Sequence, residues 1–145
     1  MKYFKLKIVV LALMGKMALG CTDHDDDAKP TNCDYGVIIS ADQFEHAPSN
    51  RLVINELEID DDCLRINFSS SGCSGETWKV KLIDSDKILE SDPPQRTIRL
   101  SLKNEELCEA FITTEATFDI SNLQVAGNRV VLNITNSEEN ILYTY

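Results

Sequence analysis

Positive charge, histidine and long apolar runs are all scarce in this chain, and each scarcity removes a class of function. Fourteen Lys and Arg stand against 24 Asp and Glu, a net charge of −10. Nucleic acid and anionic surfaces are bound through clustered Lys and Arg, so this charge balance argues against both. Only two histidines are present, His24 in an acid-rich stretch and His46 in a loop-like one. Neither lies in a core-like segment where it could serve as the base of a nucleophilic hydrolase, and the Gly72-Cys73-Ser74-Gly75 loop lacks G-x-S-x-G spacing. Carboxylate pairs are inevitable among 24 acids, and without a cleft they do not identify a glycosidase. The apolar stretch Ile8 to Gly15 ends at Lys16, well short of the ~20 residues that span a bilayer. No catalytic residue and no cofactor are therefore expected.

What is present begins with that short stretch. Lys2, Lys5 and Lys7 form a basic start, Ile8 to Gly15 an apolar segment, and Ala18-Leu19-Gly20-Cys21 a small-residue cleavage site closed by cysteine. The pattern reads residues 1–20 as a bacterial lipoprotein signal and Cys21 as the lipidated first residue of the mature chain. Acyl chains on its sulfur and its amino group together make a stable membrane anchor. Removing residues 1–20, with four lysines and no acid, leaves 125 residues and a net charge of −14. Residues 21–32 follow as an acidic tether without a large apolar residue, and residues 33–145 as one domain large enough to bury a core.

Four further cysteines remain, Cys33, Cys63, Cys73 and Cys108. An even count in a small exported domain reads as two disulfides. Zinc ligation would want paired C-x-x-C spacing, which is missing. Asp60-Asp61-Asp62 crowds three hard oxygen ligands into one turn, which leaves calcium open against a solvated turn, but it lacks the spaced pattern of an EF-hand. His24 among the tether aspartates could hold a transition metal only weakly. No metal site is assigned.

Beyond the tether the apolar residues recur with period two. Strands are expected at Val37 to Ser40, Leu52 to Ile59, Cys63 to Ser69, Thr77 to Ile83, Thr97 to Leu102, Ala110 to Ile120, Asn128 to Thr135 and Ile141 to Tyr145. Asp42 to Asn50 and Asp84 to Gln95 read as irregular connections, and Asn104 as the cap of a single helical turn. Trp78, Ile66, Phe68, Leu82, Ile98, Leu100, Phe118 and Leu132 fall on the apolar sides and form the expected core. Arg96, Arg99 and Lys103 read as a wet face. Seven to eight short strands with turn-rich loops predict an all-β, antiparallel β-sandwich, immunoglobulin-like in architecture. A true immunoglobulin domain would carry a tyrosine two residues before its second cysteine, where this chain has Glu106, and a small β-barrel is the main alternative.

If consecutive strands alternate in direction, Cys33 and Cys63 share one end of the domain, while Cys73 and Cys108 share the other. The predicted bridges are Cys33 to Cys63 and Cys73 to Cys108.

The segments SSSGCSGETWKVKLIDS, PPQRTIRLSLKNEELCEA and TFDISNLQVAGNRVVLNI, with the lipoprotein start, resemble a group of small uncharacterised lipoproteins of the Bacteroidota. That resemblance brings no activity with it. Asp23, Asp25, Asp26 and Asp27, just after Cys21, are similar to the acid-rich signal that sends lipoproteins of that phylum to the outside of the outer membrane; a solvated spacer is the alternative. The expectation is an outer-membrane, lipid-anchored protein with a non-enzymatic binding or envelope-assembly role and a protein or glycan partner. A glycan-binding module of an uptake system is the first alternative, with Tyr35, Tyr143 and Tyr145 as candidate exposed aromatics. An enzyme or enzyme inhibitor is the second.

Overall fold

The computed structural model describes residues 32–49 and 51–145. The signal segment 1–20, Cys21, His24 and the four tether aspartates lie outside the described residues. Among the described residues nine strands form two sheets, so the all-β reading holds and the strand count rises by one. The extra strand is β1 (Tyr35–Gly36), which precedes the first expected strand and joins one sheet, while β2 (Ile38–Ile39), within the expected Val37 to Ser40, joins the other. There follow α1 (Ala41–His46), β3 (Leu52–Asp60), β4 (Cys63–Gly72), β5 (Lys79–Leu89), β6 (Gln95–Lys103), β7 (Ala110–Asp119), a 3-10 turn at Ser121–Leu123, β8 (Arg129–Ile134) and β9 (Asn140–Thr144).

One sheet has the order β1-β7-β4-β3, the other β2-β5-β6-β8-β9. Both are mixed rather than antiparallel: β1 runs parallel to β7, β2 to β5 and β6 to β8. Such pairings join segments far apart in sequence, which local alternation does not report. The alternation itself was a faithful guide to burial. Leu64, Ile66 and Phe68 of β4 and Ile98, Leu100 and Leu102 of β6 are buried, and the two sheets share one apolar cluster with Phe118, Leu132 and Tyr143. Of the expected core only Trp78 falls short. It precedes β5 and packs half-buried against the cluster edge, near the ring of Phe68.

Three local expectations are corrected. Asp42 to His46 is helical, because Ser40 accepts the Gln43 N–H at 3.3 Å as an N-cap and Phe44 packs under Arg99, 5.7 Å from its guanidinium. β5 continues through Asp84 to Leu89, across a register shift between Asp84 and Ile88, with Asp86 in the left-handed region at φ 59°. Asn104 caps no helical turn; its carbonyl oxygen accepts the Glu106 N–H and its amide reaches Ser71 O at 2.7 Å, which closes a side-chain turn instead.

The disulfides are Cys33–Cys63 and Cys73–Cys108, the pairs that strand parity predicts. One step of that parity differs. Through β7 and β4, β1 runs in the same direction as β3, not the opposite one. Cys33 still lies at the Cys63 end because β1 pairs only with Phe118 and Asp119, the last residues of β7. Loops of 30 and 35 residues closed in this way each contribute about 3 to 4 kcal/mol by restricting the unfolded chain.

Candidate functional site

β4 carries a disulfide at each end. Cys63 is its first residue and Cys73 follows its last, so the ten residues of the strand, roughly 33 Å, set the two bridges apart. The chain preceding Cys33 therefore enters the domain at one end. At the other end two loops, 73–78 and 104–109, are locked against each other.

The lock is more than the Cys73–Cys108 bond. The Glu106 carboxylate accepts the backbone N–H groups of Cys73 at 2.5 Å, Ser74 at 3.0 Å and Gly75 at 3.1 Å, and the Thr77 hydroxyl at 2.8 Å. Consecutive N–H groups aimed at one point form an anion-binding nest. Here the chain fills it with its own carboxylate. Gly75 sits at φ 79°, where a side chain would strain the turn, and a Cβ at Gly72 would lie 2.6 Å from a Glu106 oxygen and 2.9 Å from the Trp78 ring. Glycine at both positions is what lets Glu106 and Trp78 close in.

Partial desolvation alone would raise the Glu106 pKa, and the donors from Gly75, Thr77, Ser74 and Cys73 outweigh it, lowering the pKa from 4.5 to about 2. The folded-state value lies below the unfolded one, so this contribution is present above pH 4.5 and is lost as pH falls through about 2. In an NMR titration the Ser74 and Gly75 amide shifts should move in that window and nowhere nearer neutrality. Glu106→Gln should abolish the movement.

On this locked end stand two exposed apolar side chains, Leu107 at 96% exposure and Phe111 at 68%. Phe111 shares the outer face of its sheet with a ladder of polar side chains. Asn55 donates to Asn67 at 2.9 Å and to Ser69 at 2.8 Å, and the Ser69 and Thr113 hydroxyls are 2.7 Å apart.

Other residues singled out in the sequence sit differently. Asp62 is occupied within the fold: the Tyr143 hydroxyl donates to it, and Gln124 reaches both groups. Burial, followed by that bond to Asp62, raises the Tyr143 pKa. Asp61 adopts φ 52°, which aspartate tolerates in a tight turn. Among the described residues no group of three or more His, Cys, Asp and Glu side chains is placed to share a metal ion. Cys73 carries no free thiol for the nucleophile that its loop superficially suggests. Tyr143 is buried and Tyr145 half-buried, leaving Tyr35 as the exposed tyrosine of the three.

The basic residues near β6 are not a wet face. Arg96 turns to the buried Asp84, 3.0 Å away, and Arg99 donates to Ala47 O at 2.7 Å beneath α1. Lys103 alone is outward, paired with Glu105 at 3.1 Å. Burial raises the Asp84 pKa against the opposing pull of the Asp86 N–H and of Arg96. Sequence reasoning missed Glu106, Phe111 and the Asp84–Arg96 pair. A carboxylate two residues before a cysteine in a disulfide-closed loop was the one usable signal for the first. The ion pair left none, because its partners lie on separate strands.

Two grooves among the described residues lie elsewhere. One of about 370 Å³ runs between β3 and the 136–139 turn, lined by Val53, Asn55, Glu56, Asn136 and Glu138 among others. Another of about 300 Å³ lies by Ile88, Pro94 and Val125.

No protein-family profile matches the chain, and no curated protein matches it in sequence. Two solved structures share its fold. A protein named as toxin-related, from Parabacteroides distasonis, superimposes with a TM-score of 0.52 at 21% identity, over 77% of this chain and 59% of its own. A protein of unknown function, DUF1344, from Bacteroides vulgatus gives 0.50 at 17% identity, over 77% of this chain and 56% of its own. The chain thus spans less than two thirds of either protein's length, and the likeness is one of fold alone.

Proposed function

We propose that this chain is an exported lipoprotein, anchored to the outer membrane through a lipid on Cys21, whose domain is an immunoglobulin-like β-sandwich with a non-enzymatic binding role. The observation that carries this reading is the opposition of the two ends of β4. A tether from Cys21 reaches the domain at Cys33, which is bonded to Cys63. The end locked by Cys73–Cys108 and Glu106 lies about ten residues of strand away and exposes Leu107 and Phe111. An anchored chain would hold that apolar end away from the membrane. Two sheets over a common apolar cluster support the sandwich, and the passage of the chain from β1 in one sheet to β2 in the other supports the immunoglobulin-like arrangement. The resemblance to small lipoproteins of the Bacteroidota points the same way.

Cys21→Ser is expected to move the protein from the membrane fraction to the soluble fraction and to abolish acyl labelling. Equal membrane retention of the variant would overturn the anchor. Neutralising Asp23, Asp25, Asp26 and Asp27 should leave acylation intact while reducing cleavage by external protease; unchanged cleavage would make them a spacer.

A glycan-binding module is kept as a second reading by one observation, the exposed Phe111 ring beside the Asn55, Asn67, Ser69 and Thr113 ladder. Retardation in polysaccharide-containing gels, lost in Phe111→Ala, would favour it.

A further inference from the structure

The edge of β7 lacks the protection that the edges of β3 and β5 carry. β3 is an edge strand broken by a register shift between Ile54 and Glu56 and lined with Glu56, Glu58 and Asp60. The β5 edge carries Lys79 and Lys81. Bulges and charges of this kind are what keep strand edges from pairing with other chains. β7 has the sequence AFITTEATFD, with no proline and no register shift against β4. On its far side it is paired only at Phe118 and Asp119.

The direction of its free groups follows from alternation. The Thr117 N–H points outward, to an Asp34 carboxylate oxygen at 3.1 Å, and the Asp119 carbonyl points outward, accepting the Val37 N–H at 3.1 Å. In an antiparallel pair every second residue faces the same way, so the N–H and C=O groups of Phe111, Thr113 and Glu115 also face outward. Among the described residues no strand pairs with them.

Cys33 is held off this edge. Continued backward in register, β1 would place Cys33 beside Ala116, at the outer edge of β7. Cys33 instead lies with its Cα 5.7 Å from that of Cys63, on β4 across β7. Two strand spacings, roughly 9.6 Å, separate those positions, so the disulfide draws Cys33 away. Just inside the free edge a cavity of about 90 Å³ opens between the sheets, lined by Tyr35, Trp78, Val80, Thr114 and Ala116 among others.

We propose that the edge of β7 from Ala110 to Ala116 takes up an extended segment of a partner protein as an added strand. Its apolar side chains face the cavity beside Trp78, and its basic side chains lie on the outer face near Glu115. This deepens the binding role above, and rests on it, by naming the kind of partner. Backbone groups in a row accept only another extended chain. The cavity offers the Trp78 and Phe68 rings beside Thr114 and Glu115, so an added strand that alternates apolar and basic side chains fits it, whereas residues 22–32 of this chain carry aspartates and no large apolar residue. A second copy would bring a net charge of −10 against −10, whereas a strand bearing Lys or Arg is attracted.

The test uses the full chain in detergent and two fluorescein-labelled peptides, Lys-Val-Lys-Val-Lys-Val-Lys and its serine counterpart Lys-Ser-Lys-Ser-Lys-Ser-Lys. The valine peptide should bind more tightly. Hydrogen exchange at the Phe111, Thr113 and Glu115 amides should be fast in the free chain and slowed in the complex. Thr113→Pro removes an outward N–H, and with it the hydroxyl contact to Ser69, so it should weaken binding by about tenfold while lowering Tm modestly. Should that variant unfold, the exchange measurement decides alone. Equal binding of both peptides, no slowing at the three amides, or amides already protected in the free chain would each overturn strand addition. Anchoring at Cys21 is read separately, from membrane partition, and survives such a failure.

Discussion

Arg96→Met should destabilise the fold by about 3 to 5 kcal/mol, the cost of leaving a buried carboxylate without its cation. Asp84 is fully buried and the Arg96 side chain 11% exposed, with 3.0 Å between Nη1 and Oδ1. The second Asp84 oxygen has no hydrogen-bond partner, nor has the Arg96 Nε. Such a half-satisfied pair costs desolvation that one ion contact and the 2.8 Å bond from the Asp86 N–H only partly offset. The double variant Asp84→Leu/Arg96→Met should accordingly recover most of the loss. Urea unfolding of wild type, the single variant and the double variant measures all three. A double variant no more stable than the single one would show that the pair holds the β5 bulge in place.

Phe118→Ala is the other large loss, about 3 to 5 kcal/mol, from a fully buried aromatic at the centre of the shared cluster. Phe118 also sits at the only register position where the β1 residue Tyr35 pairs, with ring centroids 5.6 Å apart. Its truncation should therefore free β1 along with the core, and amide exchange at Tyr35 and Gly36 should quicken more than at β3. Trp78→Ala should cost less in the same unfolding series, because its side chain is only partly buried and its buried Nε1 lacks a partner.

Much of the fold was legible because burial on one face imposes period two on a strand. Ile98, Leu100 and Leu102 declared β6, and Leu64, Ile66 and Phe68 declared β4. The cysteines were legible for a related reason, since strand ends fix which thiols can meet. The far half of β5 was not, because Asp84, Ser85 and Asp86 are polar residues that look like a loop until Arg96 is brought beside them. Neither was the outer face of β6. Arg99 and Ser101 alternate as solvent-facing residues should, yet α1 and Pro48 lie over them, and their polar ends are met by Ala47 O and Pro48 O. Of the candidate surface, the disulfide-closed loop could be read from spacing. Phe111 was not singled out, because exposure on a sheet's outer face depends on what fails to cover it, which alternation along one strand does not report.

The disulfides at the two ends of β4 also decide how the molecule would bear tension. A pull delivered through Cys33 passes across its bond into Cys63, bypassing β1, β2, α1 and β3, then runs along β4 to Cys73 and across to Cys108. The two closed loops together withhold 65 residues from extension. That is roughly 220 Å of chain that no steady load can draw out while both bridges remain oxidised. What stretches is β4 itself and the segment after Cys108, so mechanical yielding begins at β7 to β9 and spares the residues nearest Cys33.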